Sequence, residues 1–363
     1  MVNKKTMIGL AVLAAIGLLV ASLKYPIDIP SEEVVILPSC QNVETLTDML
    51  TDDFDPHWSP DGKQIAFVGH HEGNSEVYVM DMATRAMTNL SRSKYDDYNP
   101  IWSPDGHYLA YFHRQIPYSR DAFQLRVVEV ATKRIYPATP DYGSIIPGYV
   151  RWTPDSKKLL FLAYPGWGNY DLATKVLHID PGLGHIGPGE IGIRSSDGQG
   201  ALAINSDTPD GLPMKLVLAD ALGQYHTVLQ LNISFALDSW SPTRDQIAFY
   251  SYTGVYVLDV PTGNYRDFIQ GAGKIMTVDW SPDGNYLASL IATASARKVA
   301  VADIRSGAVC SFGSDNLPHR SIDQPVRYRY IYSDPQWSPT DDQVVFSSGS
   351  DGASNLILLT MPS

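Results

Sequence analysis

The chain has 363 residues, with 27 basic against 39 acidic side chains and a net charge of −12. Only 18% of residues are charged, while Tyr (21), Gly (28) and Pro (25) are abundant, a composition suited to short strands joined by many turns rather than to a disordered or coiled-coil chain. The acidic balance argues against a nucleic-acid partner, which needs basic surface, and favours basic partners or cations.

At the N-terminus, Lys4 and Lys5 precede an uncharged apolar run from Met7 to Leu23, and Lys24-Tyr25-Pro26 follows. Seventeen residues are short for a helix that spans a bilayer and slightly long for a signal-peptide core. Residues 1–25 are therefore read either as an apolar helix anchoring the chain in the membrane or as a cleaved signal peptide with its cut near Val20-Ala21-Ser22. With the lysines kept on the cytoplasmic side, both readings place the remainder outside the cytoplasm: periplasmic, at the cell surface or secreted. Residues 26–41 read as a linker.

From there the chain repeats itself. A tryptophan followed by Ser/Thr-Pro and a polar turn occurs at Trp58, Trp102, Trp152, Trp240, Trp280 and Trp337, with successive spacings of 44, 50, 88, 40 and 57 residues. The spacing of 88 holds a worn copy, Arg194-Ser195-Ser196-Asp197-Gly198 followed by Ala201 to Ile204, in which Arg194 stands for the tryptophan. Seven units with a period in the forties predict an all-β fold: a seven-bladed β-propeller of four-stranded antiparallel blades over residues 42–363.

The first copy shows the logic. Ser59-Pro60-Asp61-Gly62 is a turn, because proline presets φ, Ser and Asp offer oxygens to nearby amides, and glycine accepts the left-handed conformation that completes the reversal. Strand a thus ends near Trp58 and strand b begins near Gln64; Ser75 to Asp81 alternates as strand c and Met87 to Leu90 as a short strand d. Strand c is expected again at Leu125–Glu129, Val176–Asp180, Leu216–Asp220, Val255–Asp259 and Val299–Asp303, each closed by an acidic residue that turn chemistry explains. Each tryptophan is expected to pack between neighbouring sheets with its indole N–H on a local acceptor. The last unit lacks a strand d, and Asn42 to Thr47 resembles one, so the N-terminal segment is expected to complete blade 7 and leave no open edge. Cys40 and Cys310 then fall on the outer strands of blades 7 and 6. A disulfide is conceivable outside the cell, but it needs Cα atoms within about 7 Å, and two buried free thiols are the expectation.

The units Trp58 to Ala66, Trp102 to Ala110 and Trp280 to Ala288 resemble TolB-type WD-like propeller repeats, a family also similar to the propellers of prolyl oligopeptidase and dipeptidyl peptidase IV. The resemblance covers nearly everything from residue 42 onward and implies the fold; such repeats serve many tasks. Two departures stand out. TolB places an α/β domain before a six-bladed propeller, whereas seven units are counted here after a short linker. The peptidases carry their serine in a G-x-S-x-G elbow, and that pentapeptide does not occur in this chain.

The b-to-c and d-to-a loops of a propeller crowd one face around the channel mouth, where ligands usually bind. His70, His71, Tyr98, His113, Arg114, Tyr142, Trp167, Tyr170, Arg327 and Tyr330 are assigned to that face, where aromatic and arginine side chains suit an interface. Asp53, Asp55, Asp97, Asp238, Asp279 and Asp334 precede tryptophans near the axis and form a candidate acidic collar for a cation or a basic peptide. A metal is left open. His70-His71-Glu72 and His113 have the right residue types, and some propeller lyases acting on uronic-acid oligosaccharides hold a metal through loop histidines, but adjacent histidines on a strand point to opposite faces. The reading is a non-catalytic extracytoplasmic propeller, without cofactor, that binds a protein, peptide or glycan; residues 7–23 engage the membrane if uncleaved. The alternative is a propeller lyase or hydrolase using loop histidines and carboxylates near the channel mouth.

Overall fold

The computed structural model describes residues 39–47, 52–71, 73–114, 123–139, 145–163, 166–180, 192–194, 200–204, 214–219, 225–233, 235–292, 297–313, 335–350 and 353–361. The apolar segment 7–23, with its anchor-or-signal alternatives, lies outside them. Among the described residues every named element is a strand, and no helix is long and apolar enough to cross a membrane.

Seven four-stranded antiparallel sheets succeed one another as the blades of a propeller. They occupy residues 53–89, 96–137, 145–180, 192–231, 235–270 and 274–312, and the seventh combines 336–360 with 43–45. Within each blade the strands pair as a-b-c-d. The predicted turn produces this geometry directly. In blade 1, strand a (Asp53–Trp58) reverses into strand b (Gln64–Gly69). Ser59 Oγ donates to Asp61 Oδ1 at 2.7 Å and accepts from Gln64 N at 2.9 Å, while Lys63 N donates to Asp61 Oδ1 at 3.1 Å. Gly62 takes φ +70°, and a side chain there would also run into Thr340 of blade 7. The same bonds recur around Ser103/Asp105, Thr153/Asp155 and Ser281/Asp283. At the c-to-d turns, the acids that close strand c cap their own reversals, Asp81 through Thr84 N and Oγ1, Asp171 through Thr174, and Asp259 through Thr262.

Packing between blades carries the stability. Apolar clusters fill the seams: Phe67, Trp58, Val345 and Leu356 between blades 7 and 1, Leu109, Tyr111, Val77 and Val79 between 1 and 2, and Phe249, Trp240, Leu216 and Leu218 between 4 and 5. Each buried side chain of this size contributes about 1.5–3 kcal/mol by leaving water. A circular set of bonds runs through the tryptophans, each indole N–H donating to the carbonyl just before the tryptophan of the preceding blade. The distances are 3.1 Å for Trp58 to Gln336, 3.0 Å for Trp102 to His57, 3.0 Å for Trp152 to Ile101, 3.2 Å for Trp280 to Ser239 and 3.1 Å for Trp337 to Asp279. The set breaks at Trp240, which follows the worn unit. Its buried indole N–H has no partner among the described residues.

The ring closes as predicted in kind: Val43–Thr45 pairs with Leu359, Leu358 and Ile357 as the outer strand of blade 7. Two expectations are corrected. Cys40 and Cys310 form a disulfide, their Cα atoms 4.9 Å apart. The reason is a short parallel bridge of Ser39 with Ser311 and a bond from Cys40 N to Ser311 O at 2.9 Å, which lay the entering segment along blade 6 before it turns to blade 7. In blade 3, Val176–Asp180 is strand d, and strand c is Gly166–Asp171. Its glycines hide it from a β-propensity reading. Gly168 is required because the Phe161 ring lies where a Cβ would project.

Candidate functional site

Blades 1 and 2 open on the same pattern, Asp53-Phe54-Asp55-Pro56-His57-Trp58 and Asp97-Tyr98-Asn99-Pro100-Ile101-Trp102. Asp55 and Asn99 adopt φ +57° and +53°, a left-handed conformation that Asp and Asn tolerate better than other side chains. The strand-a register shifts there, between Phe54 and His57 and between Tyr98 and Ile101. In both blades the leading aspartate is buried at the start of strand a.

In blade 2, Asp97 stands opposite His113 on strand b (Tyr108–Arg114), and His113 Nδ1 lies 2.6 Å from Asp97 Oδ1. They are 0% and 1% exposed. Blade 1 builds the equivalent pair by another route. Opposite Asp53 is Gly69, and His71, two residues on, folds back so that its Nε2 lies 2.7 Å from Asp53 Oδ1. The imidazole occupies the space into which a Cβ at Gly69 would project, and it packs 4.7 Å from the Tyr78 ring. Glycine at 69 is what admits it.

Around these pairs the polar groups are under-satisfied. Asp53 Oδ2, Asp97 Oδ2, His113 Nε2, Tyr111 Oη and Arg114 Nε are buried without a hydrogen-bond partner among the described residues. Each such group costs about 1–3 kcal/mol, and their gathering on two blades marks a functional candidate. Burial pushes the Asp97 carboxyl above the usual range although His113 bonds to it. Burial likewise holds Tyr111 far above an ordinary phenol.

Beside them, the d-to-a loop from Asn89 to Tyr95 is held almost atom by atom. Arg92 N donates to Asn89 Oδ1 at 2.9 Å, Ser93 N to Glu76 Oε1 at 2.8 Å and Tyr95 N to Ser93 Oγ at 2.9 Å. Asn74 Nδ2 donates to Ser93 O at 3.1 Å and to Tyr95 O at 2.8 Å. Glu76 also accepts from Asn89 Nδ2. The loop borders a cavity of about 580 Å³ lined by Asn74, Glu76, Asn89, Arg92, Ser93 and Lys94.

The sequence-predicted residues are placed as follows. Arg114 reaches Asp96 at 3.3 Å and lies 5.6 Å from the Tyr98 ring centre; Tyr98 is itself buried. His70 follows strand b, its N donating to Asp52 O at 2.9 Å. Tyr170 is buried in the apolar cluster between blades 2 and 3, so it serves packing rather than the open face. Trp167 sits on strand c of blade 3. Tyr142, Arg327 and Tyr330 lie outside the described residues, as does Asp334 of the collar. Of the other collar aspartates, Asp53 and Asp97 are enclosed and engaged by histidine, and Asp55 bonds His57 at 3.2 Å. Asp279 is half-buried on strand a of blade 6, and Asp238 occupies strand a of blade 5. Among the described residues no three His, Cys, Asp or Glu side chains converge to hold a metal ion. Sequence reading missed Asn74, Glu76, Asn89, Arg92 and Lys94. The signal was an Asn-Ser-Glu leading into strand c and an Asn-x-x-Arg leading out of strand d that no other unit repeats.

A family model described as the TolB β-propeller domain matches residues 38–165, which contain this site. The Tol-Pal system protein TolB of Xanthomonas oryzae is 55% identical over 31 residues, 8% of this chain and 7% of that protein. The TolB of Alcanivorax borkumensis is 30% identical over 103 residues, 27% of this chain and 24% of that protein. The chain therefore aligns with less than a quarter of the length of these curated relatives. Among solved structures, an oligogalacturonate lyase from Vibrio parahaemolyticus superposes with a TM-score of 0.57 at 16% identity, covering 91% of this chain and 97% of the lyase; at that identity the likeness is one of fold. Residues 38–165 are thus similar to the TolB β-propeller domain, and the likeness beyond them is one of fold.

Proposed function

We propose that this chain is a non-catalytic, extracytoplasmic propeller that binds a protein partner through its loop face, centred on blades 1 and 2. The observation that carries the reading is the concentration there of buried polar groups without partners beside a pre-organised, polar-lined cavity, the kind of site that binding would complete. Two further facts support it. The Cys40–Cys310 disulfide suits an oxidising compartment, and the TolB relatives carry the name of the Tol-Pal system. A peptide or glycan remains within the same reading.

A second reading, a lyase or hydrolase, draws on one observation: His113 Nε2 is unpartnered while Asp97 orients the opposite nitrogen, as a general base requires. Against it, each histidine is enclosed with its own aspartate in its own blade. The test is capture of partners from an envelope fraction by the wild type and by a Trp167→Ala/Tyr330→Ala double variant, run beside a turnover assay on oligouronates. Specific capture that the double variant loses supports the binding reading. Turnover abolished by His113→Gln would replace it with the enzyme.

A further inference from the structure

The acidic chain places two cations at the mouth of its blade 1 cavity. Arg92 and Lys94 are exposed, and neither has an ion-pair partner among the described residues. Arg92 holds φ +43°, a conformation that a non-glycine residue keeps where its surroundings impose it. Here they do: Asn89, Glu76, Ser93 and Asn74 side chains fix the backbone on both sides of it. The c-to-d reversals, which also hold non-glycine residues at positive φ, are capped by side chains two or three residues away, whereas this loop is held by Asn74 and Glu76 from the start of a neighbouring strand. What the loop achieves is a fixed pair of cations two residues apart, facing a cavity whose buried wall includes the Glu76 carboxylate, 2% exposed.

We propose that this cavity binds an acidic peptide segment: one carboxylate seated on Arg92 and Lys94, and the neighbouring peptide N–H turned toward Glu76. The inference rests on the loop-face reading and names the chemistry of its partner. The charges select among anions. A carboxylate matches the Arg92 fork, which can take it through two parallel N–H bonds. A phosphate or a chain of uronates would bring additional negative charge toward Glu76, where like charges repel. Glu76 keeps acceptor capacity beyond its bonds to Ser93 N and Asn89, because a carboxylate offers about four lone-pair sites.

The experiment titrates the full-length protein, ¹⁵N-labelled, with acetyl-Gly-Asp-Gly-amide, with its Asn counterpart, with inorganic phosphate and with digalacturonate. The Asp peptide is expected to shift the amides of Ser93 and Tyr95 and to bind about tenfold more tightly than the Asn peptide, as two exposed charge contacts allow. Arg92→Ala/Lys94→Ala is expected to weaken the Asp peptide by a similar factor with an unchanged thermal midpoint, since both side chains are exposed. Glu76→Gln is expected to reduce the preference for the peptide over phosphate. Equal binding of the Asp and Asn peptides, an unaltered affinity in the double variant, or tighter binding of phosphate or digalacturonate overturns the proposal. If these fail while the envelope fraction still yields a partner lost in the Trp167→Ala/Tyr330→Ala variant, the loop-face reading stands and only its acidic-peptide form falls.

Discussion

The two faces of this propeller are made from the same seven units and use their polar side chains in opposite ways. On the face that carries the a-to-b and c-to-d turns, Ser, Thr and Asp spend their hydrogen bonds within a few residues of themselves, as Ser59 with Asp61 and Asp171 with Thr174 do. On the opposite face, Asp97 and His113 reach across strands, and buried atoms of both lack further partners. The repeated turn residues build the scaffold, and the Asp–His pairs of blades 1 and 2 stand outside that local bonding.

The largest effect expected is covalent and belongs to neither face. Reducing the Cys40–Cys310 bond, which spans 270 residues, should lower unfolding stability by about 2–5 kcal/mol. Urea midpoints with and without reductant measure this. A loss below that range would mean that pairing of Val43–Thr45 with blade 7 alone secures the ring.

Next comes a direct contrast of the faces. Asp97→Ala leaves His113 buried without its partner and should cost about 3 kcal/mol, whereas Asp303→Ala removes a half-exposed turn cap for Arg305 N and Ser306 N and should cost about 1 kcal/mol. Equal costs would show that the loop-face pair is no more demanding than a turn.

A smaller contrast tests the broken set of indole bonds. Trp102→Phe removes a part-buried bond to His57 O, a loss of about 0.5–1.5 kcal/mol beyond packing. Trp240→Phe removes an N–H that has no partner among the described residues. The first substitution should therefore be the more damaging by denaturant melts, and the reverse order would mean that Trp240 finds its acceptor in solution.

Much of this was legible from residue types. The Trp-Ser-Pro-Asp-Gly turn dictates where strands a and b meet, and the missing last strand foretold closure by the N-terminal segment, because local chemistry alone specifies both. What escaped reading depends on three-dimensional juxtaposition. Gly166–Asp171 failed as a strand by propensity because Gly168 answers to the Phe161 ring, not to its own backbone. The disulfide needed the lateral path of Ser39 along Ser311. His71 and His113 have the residue type of a site, yet nothing in their spacing announces that they fill equivalent positions in adjacent blades, one from two residues beyond a glycine and the other from the paired position. Tyr170 looked like a loop aromatic and proved to be core.

The subtlest contrast is in the sign of pH dependence. Asp171 on the turn face is held below the usual carboxylate range, first by the bond from Thr174 N, so its contribution is present above the unfolded pKa of about 3.9 and is lost as pH falls through the lower folded value. Asp97 is raised by burial; its contribution is full below the unfolded pKa and disappears as pH climbs through the higher folded value. The stability of Asp171→Asn relative to wild type should therefore fall as pH rises from 3 to 7, while that of Asp97→Asn should rise over the same interval. Urea unfolding of the three proteins at half-unit steps reads both slopes. Slopes of the same sign would mean that His113 holds the Asp97 carboxylate ionised more firmly than burial opposes it, and the two faces would then be electrostatically alike.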